Sequence, residues 1–212
     1  INLKDANGDD RPTDTYLEQI NDTVIRGHRH STGWSKKQQI YFTAVFSQPV
    51  HLTLYHDSVQ VVGNSLQGLD VKGNVTVAPV VEELGVKVGI SPVSMENAMD
   101  NIEQEIKDWN FEKIVDETTN KWNTELSKLQ IETTDTVAKR IFYTALYHAF
   151  MQPIMFNDCN KEYRGTDKNI YGDPGFTNYT VFSLWDTYRA AHPLYTLVQP
   201  ERVPDFVNSM LA

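Results

Sequence analysis

The sequence predicts a multidomain protein in which an antiparallel β half is followed by a helical half. Apolar and polar residues alternate through residues 40–55, which is the period of half-buried strands. From Ser94 onward apolar residues recur every three or four positions, as in helices that pack on one side. Residues 141–151 are apolar or aromatic on nearly all sides, which predicts a helix buried in a layered helical assembly.

The β half is expected from about Thr23 to Ile90. Glycine, asparagine and proline separate its short apolar runs at the spacing of a β-sandwich. Residues 1–22 are polar instead, and Asp5, Asn7, Asp9 and Asp10 surround Gly8. Because this spacing misses the EF-hand pattern and no glutamate closes it, we predict a solvated turn there.

The helical half begins with two connecting helices. Ser94 is the expected N-cap of the first, and the second is expected from about Asn110 through Leu129, with Trp122 in its core face. A third helix, capped by Thr134 or Asp135, is expected to reach about Met151.

The remaining residues predict a loop and two further helices. Residues 154–180 contain several aromatic residues, which predicts an ordered loop that could include a hairpin at the rim of a site. A helix after Ser183 should end or kink at Pro193, and another should begin near Pro200 or Pro204. Helices in this number do not close a domain, so we expect the chain to be a segment of a larger protein.

Composition excludes several classes of function. The formal net charge is −9, which argues against nucleic acid and anionic membrane surfaces as partners. No apolar run approaches the roughly 20 residues that span a bilayer, and the N-terminal residues contain no signal-peptide apolar region. Cys159 is the single cysteine, so no internal disulfide or zinc set based on cysteine can form, and the thiol is expected to be inert.

His28 and His30 occupy alternate positions of a predicted strand, with Arg26 on the same side. Such a pair could bind a metal ion, but a third ligand is not evident and neighbouring arginines would repel a cation. The sequence therefore favours an exposed basic strand face.

The stretch from Asn178 to Leu197 concentrates polar side chains within an aromatic run. Ser183 and Asp186 fit the capping box of a helix start, and on that interpretation Trp185 and Leu184 are core residues. Alternatively, the indole of Trp185 faces the C–H surface of a sugar while the carboxylate of Asp186 accepts hydrogen bonds from vicinal hydroxyls. Residue types alone favour the first interpretation.

Several segments resemble the family 92 glycoside hydrolases, which are calcium-dependent exo-acting α-mannosidases. The resemblance lies in RIFYTALYHAFMQP at 140–153, EYRGTDKNIY at 162–171 and above all FSLWDTYRAAHPL at 182–194. The segments VGISPVSMENAMDNIEQEI at 88–106 and KWNTELSKL at 121–129 resemble the bridge between the family's domains, and IYFTAVFSQP at 40–49 its sheet domain.

The resemblance implies a multidomain β plus α architecture. Residues 1–92 would be the C-terminal portion of an antiparallel β-sandwich, 93–132 a helical linker, and 133–212 the first helices of an (α/α)6 barrel. The start of the sandwich and most of the barrel would lie outside this chain. The implied location is secreted, periplasmic or at the cell surface.

The resemblance also implies the activity and part of the site. The family removes terminal mannose from glycans with inversion, and Asp186 matches the position expected to bind mannose hydroxyls, beside Trp185. Arg189 would either orient Asp186 or form a structural ion pair, and His192 is expected to be a structural hydrogen-bonding residue. Asp158, Asp167 and Asp173 are candidate rim residues. The general acid, the general base and most calcium ligands are expected outside this segment, so the segment alone would be inactive.

Two alternatives remain open from the sequence. The chain could be a non-catalytic carbohydrate-binding or interaction module that folds independently. It could also belong to another (α/α)6 glycosidase or phosphorylase with a different sugar specificity.

Overall fold

A computed structural model of the chain describes residues 1–77 and 82–212. Its strands are β1 (Arg11–Asn21), β2 (Val24–Thr32), β3 (Gln38–Phe46), β4 (Val50–His56), β5 (Val59–Val61), β6 (Ser65–Gly68), β7 (Val71–Val77), β8 (Val86–Ser91), β9 (Ile154–Met155), β10 (Tyr163–Arg164), β11 (Ile170–Tyr171) and β12 (Tyr179–Thr180). Its helices are α1 (Met95–Glu105), α2 (Phe111–Leu126), α3 (Thr136–Phe150), α4 (Leu184–Thr187), α5 (Ala191–Val198) and α6 (Val203–Leu211).

The chain divides into two compact units. The sandwich unit comprises Ile1–Trp109 and Asp158–Gly172, and the helical unit comprises Asn110–Asn157 and Asp173–Ala212. The predicted bounds of sandwich, linker and barrel remain predictions, although α1 lies within the sandwich unit. None of the helices in the described ranges is long and apolar enough to cross a membrane.

The sandwich unit confirms the predicted antiparallel β-sandwich. One sheet has the order β6-β1-β2-β3-β8 and the other β5-β4-β7, with antiparallel pairing throughout. Residues 78–81 of the predicted β region lie outside the described residues.

The core of the sandwich lies between these two sheets. It consists of Leu3, which precedes β1, and of residues from the facing strands: Leu17, Ile25, Ala44, Phe46, Val50, Leu52, Leu54 and Val71. The sheets approach closely at Gly73, where a Cβ atom would lie 2.5 Å from Leu17 Cδ2 and 2.7 Å from Leu52 Cδ1. A larger residue at this position would therefore displace the ends of these two leucine side chains.

The predicted turn around Gly8 is confirmed, but the β region begins before the predicted Thr23, because Arg11–Asn21 form β1. This strand lies inside the larger sheet, and Thr15 and Leu17 on it are fully buried. The hydroxyl of Thr15 donates a hydrogen bond to the carbonyl of Gly68 at 2.7 Å, which makes a polar side chain tolerable in the interior. The strand has few apolar residues because its outer face carries polar contacts, so its periodicity is weak.

Helix α1 covers part of the outer face of the five-stranded sheet. Its N-cap is Ser94, as predicted, and the Ser94 hydroxyl accepts a hydrogen bond from the Asn97 backbone N–H at 3.0 Å. At Gly89 on β8 a Cβ atom would lie 2.0 Å from the carbonyl oxygen of Ala98, so the helix and strand backbones are nearly in contact. This close packing joins the helix to the sheet.

The helical unit has the predicted helix starts but little buried apolar surface. Asn110 caps α2 and Asp135 caps α3 through side-chain hydrogen bonds to backbone N–H groups. Helix α2 contains no buried residue and α3 contains one, Leu146. The prediction that α3 is buried on most sides is wrong for this chain by itself, because Ile141 remains 64% exposed and few elements pack against the helix.

Candidate functional site

The segment before the Trp-Asp motif is anchored within the helical unit. Strand β12 pairs with β9, and the backbone N–H of Tyr179 donates to Ser209 Oγ at 2.8 Å. The N–H of Thr177 donates to Asp205 Oδ2 at 3.2 Å. Both partners lie on α6, so residues 177–180, which precede the motif, are held by strand β9 and helix α6.

The backbone is strained directly after these residues. Val181 has a φ of +65°, in the left-handed region that a β-branched residue rarely adopts. Such a conformation costs on the order of 1–3 kcal/mol and tends to occur at functional sites. The strained residue turns the chain two positions before Ser183.

The capping interpretation of Asp186 is wrong in this structure. Ser183 forms no side-chain cap, and its hydroxyl instead donates to Asp186 Oδ2 at 2.5 Å. The short helix α4 leaves Trp185 90% exposed and Leu184 49% exposed, so neither is a core residue here. The predicted sugar-binding pair therefore lies on an open surface.

The carboxylate of Asp186 is oriented but only partly engaged. Its Oδ2 atom is held by Ser183, while Oδ1 accepts no hydrogen bond from any residue in the described ranges. An ionised carboxylate has lone pairs for about four hydrogen bonds. Asp186 consequently retains the capacity to bind two neighbouring hydroxyl groups beside the free indole of Trp185.

Neither predicted role of Arg189 is seen. Its Nε donates to the hydroxyl of Tyr188 at 2.6 Å, and its guanidinium lies 5.4 Å from the centre of that ring. Within residues 1–77 and 82–212 it forms no ion pair with Asp186. The predicted structural hydrogen bond of His192 is not seen in the described ranges, where its ring contacts Phe182 and Tyr195 instead.

The three candidate rim aspartates differ from one another. Asp173 accepts a hydrogen bond from the N–H of Gly175 at 2.9 Å in an exposed turn. Asp167 is exposed in the β10–β11 hairpin, where a hydrogen bond from the Tyr171 hydroxyl lowers the pKa of Asp167 below its usual value. These two remain candidates on the surface of their own units.

Asp158 is not a rim residue, because it is only 5% exposed. Its Oδ2 accepts hydrogen bonds from Ser91 Oγ at 2.6 Å and Asn97 Nδ2 at 2.8 Å, and its Oδ1 accepts one from Asn101 Nδ2 at 2.8 Å. The carboxylate thus joins the start of the 158–172 loop to β8 and α1. Sequence reasoning missed this role because all three partners are distant in the chain.

The predicted exposed basic face at His28 and His30 is also wrong. The two side chains are 13% and 20% exposed, and His28 Nε2 lies 2.8 Å from Asp14 Oδ2. Burial tends to raise the pKa of Asp14, but hydrogen bonds from Gln67 and His28 outweigh it and hold that pKa below its usual value. Burial, and next the charge of His28, lower the pKa of His30. The sequence argument found no third side chain that could bind a metal ion together with the two histidines. The structure places Asp14 beside them, on strand β1, which the sequence analysis did not predict.

These residues do not fit calcium. Asp14, His28 and His30 are the one group of three or more metal-binding side chains within the described ranges. Calcium binds six to eight oxygen ligands, and two of these three side chains offer nitrogen. The described part of the chain thus offers no calcium site built from clustered carboxylates.

An exposed indole beside a carboxylate with an unused oxygen suits the binding of a sugar ring. The family model of the glycosyl hydrolase family 92 catalytic domain matches residues 97–212, and that of the N-terminal domain of the same family matches residues 1–91. The chain belongs to glycosyl hydrolase family 92. No curated protein sequence matches it.

Solved structures of the family have the same fold. The family GH92 α-mannosidase BT3965 from Bacteroides thetaiotaomicron is 37% identical, with a TM-score of 0.89 over 95% of this chain. The GH92 glycosyl hydrolase ccman5 is 26% identical, with a TM-score of 0.88 over 98% of this chain. This chain spans 28% of the length of each of these two proteins.

Proposed function

We propose that this chain is part of an exo-acting inverting α-mannosidase that hydrolyses terminal α-linked mannose from glycans. Family membership and 37% identity to a protein described as an α-mannosidase support the substrate class. The catalytic acid and base would lie outside these 212 residues. The chain would therefore act only together with the remainder of a longer polypeptide.

The observation that carries the proposal is the open surface at Trp185 and Asp186. A 90% exposed indole offers a flat apolar face to a pyranose ring. Beside it, Asp186 has one oxygen held by Ser183 and one oxygen available, which suits recognition of vicinal hydroxyls. Arg189 is assigned to the rim of the same surface, where its guanidinium is exposed and could donate to a further sugar oxygen.

The rest of the machinery is proposed to come from elsewhere in the longer polypeptide. Inverting hydrolysis needs two carboxyl groups about 6.5–9.5 Å apart, with a water molecule between one of them and the sugar. Calcium is proposed to bind there as well, mainly to oxygen ligands outside this chain. A secreted, periplasmic or cell-surface location is proposed on the basis of the family.

The test is the rate of mannose release by the longer polypeptide with calcium, from α-mannosides. Asp186→Asn should lower kcat/KM by about 100-fold or more, because hydrogen bonds to a charged group contribute about 1.5–3 kcal/mol each and two are expected. Trp185→Ala should lower it as well. Asp116→Asn on the exposed surface of α2 is the matched control and should leave the rate unchanged.

Three other results would contradict the proposal. Normal turnover by Asp186→Asn would remove this carboxylate from the sugar site. Hydrolysis of β-glycosides instead of α-mannosides would indicate a different glycosidase. Cooperative folding and mannoside binding by the 212-residue chain, together with an inactive longer polypeptide, would indicate a binding module.

A further inference from the structure

We propose that Asp14, His28 and His30 form a binding site for a transition-metal ion such as Zn²⁺. The three side chains lie on the outer face of the five-stranded sheet. His28 and His30 are alternate residues of β2, and Asp14 on β1 is directly opposite His30. Two strands therefore supply one ligand set, and a bound ion would cross-link them.

The ligand atoms are already close together. One ligand atom from each of the three side chains lies within 4.8 Å of the other two. His28 Nε2 is 2.8 Å and His30 Nδ1 is 3.8 Å from Asp14 Oδ2. A tetrahedral ion with bonds of about 2.0–2.1 Å separates its ligands by roughly 3.3 Å, so these two distances differ from the requirement by about half an ångström.

The side chains are held in place by neighbouring residues. Gln67 Nε2 donates to Asp14 Oδ1 at 3.0 Å and, at the longer distance of 3.3 Å, to Oδ2, which fixes the carboxylate. The ring of Tyr41 packs edge-on against His28 at 5.7 Å and His30 at 5.4 Å between centroids. Such outer contacts orient metal ligands and strengthen binding.

His30 has a ring nitrogen that the protein itself leaves unsatisfied. Its Nε2 atom is buried and has no hydrogen-bond partner among the described residues. Buried polar atoms nearly always have a partner, and an imidazole nitrogen without a proton can be satisfied by a metal ion. This atom gives His30 a second way to reach an ion, by rotation of the ring.

Two of the neighbouring arginines are paired with carboxylates, which offset their positive charge. Arg26 donates to Glu18 at 2.6 Å and to Glu96 at 2.8 Å. Arg29 pairs with Asp10 at 2.6 Å. Arg164 donates to the carbonyl oxygens of Pro92 and Lys168, which fix its position but leave its charge. The objection raised by the sequence is therefore answered for Arg26 and Arg29.

The donor set selects the class of metal. Two imidazoles and one carboxylate suit Zn²⁺, Co²⁺, Ni²⁺ or Cu²⁺ better than the hard cations Ca²⁺ and Mg²⁺. Three protein ligands leave a position for water in a four-coordinate ion. The site would stabilise the β1–β2 pairing, and it does not depend on the mannosidase proposal.

The experiment is a Co²⁺ titration of the whole protein that carries this chain, after metal removal and in the presence of excess Ca²⁺. Binding is followed by the visible absorption of tetrahedral Co²⁺ and by calorimetry, and Zn²⁺ is then added to displace it. Compared with wild type, Asp14→Asn, His28→Gln and His30→Gln should each weaken binding by at least about 10–100-fold, a loss that even outer-shell changes can cause.

His51→Gln, an exposed histidine on β4, is the matched control and should bind like wild type. Circular dichroism and thermal unfolding without metal show which variants are folded, and each of the three ligand variants tests the site by itself. Added Zn²⁺ should raise the Tm of wild type and not that of His30→Gln. The proposal is overturned if wild type shows no saturable binding, or if the ligand variants and His51→Gln bind alike.

Discussion

The sandwich unit and the helical unit bury their apolar side chains to very different extents. Leu17, Ile25 and Val71 are fully buried between the two sheets, whereas α2 has no buried residue and α3 has only Leu146. The sheets cover each other because both come from this chain. Helix α3 has the composition of a core helix but is covered on one side only, so its apolar face is available to further helices of a longer polypeptide.

The contrast has one exception within the sandwich unit. Val86, Val88 and Ile90 lie on the inner face of the edge strand β8 and are 48%, 56% and 66% exposed. The described part of the sandwich is thus well packed at its centre, whereas these side chains of β8 remain exposed.

The largest expected effect is a loss of stability in the closed core of the sandwich unit, compared with the exposed face of α3. Leu17→Ala should lower the free energy of unfolding of the sandwich unit by about 2–5 kcal/mol, because it leaves a cavity in a closed core. Ile141→Ala on the exposed face of α3 should change stability by less than about 0.5 kcal/mol. Both are measured by denaturant unfolding of the 212-residue chain.

The stability effects of Leu17→Ala and Ile141→Ala can also be compared in a longer polypeptide. If further helices cover α3, Ile141→Ala should there cost about 2 kcal/mol or more. An unchanged small effect in the longer polypeptide would show that this face stays in solvent.

A smaller effect is expected from the buried polar network of the sandwich unit. Asp158→Ala removes the acceptor for Ser91, Asn97 and Asn101, so several buried donors lose a partner. The expected loss is about 1–3 kcal/mol, with greater proteolysis of the 158–172 loop. Asp100→Asn, an exposed carboxylate on α1, is the control; an equal effect of both changes would mean that the network contributes nothing specific.

The smallest effect is expected from the half-exposed polar contacts of the helical unit. Burial tends to raise the pKa of Glu125, but hydrogen bonds from Lys128 and Gln199 and the charge of Arg202 hold it below the usual value of 4.5. Because the folded pKa is the lower one, the contribution is present above about pH 4.5 and is lost as the pH falls through the folded pKa. Ionised Glu125 should add less than about 1 kcal/mol to the free energy of unfolding.

The measurement is Tm against pH for wild type and Glu125→Gln. The variant should show a flatter decrease in Tm below pH 4.5, since its side chain does not titrate. Glu117→Gln, at an exposed position of the same helix, should follow wild type. A steeper decrease in Glu125→Gln than in wild type would mean that ionised Glu125 does not stabilise the folded state.

Local features of the fold were predictable because their signals are local. Ser94, Asn110 and Asp135 begin helices through side-chain hydrogen bonds to N–H groups two or three residues away. The predicted end or kink at Pro193 is wrong, because α4 ends at Thr187 and Pro193 lies in the first turn of α5, where no N–H is needed. The loop after residue 154 contains the anticipated hairpin.

Features that depend on distant partners were not predictable in this way. Strand β1 carries too few apolar residues to show a period, yet its neighbours bury Thr15 and Leu17 completely. Asp158 has the sequence context of an exposed aspartate, and only the fold places three polar side chains from β8 and α1 around it. The same reason explains why Asp14 was not connected with His28 and His30.

The sequence by itself determined the change from strands to helices at Ser94, the helix caps, the family and the Trp-Asp motif, because each is encoded in neighbouring residues. The tertiary structure alone decided that Trp185 is exposed and Asp158 buried, and that Asp14 faces two histidines. Burial and ligand geometry depend on which distant surfaces meet, and those distances arise only when the sheets and helices have packed.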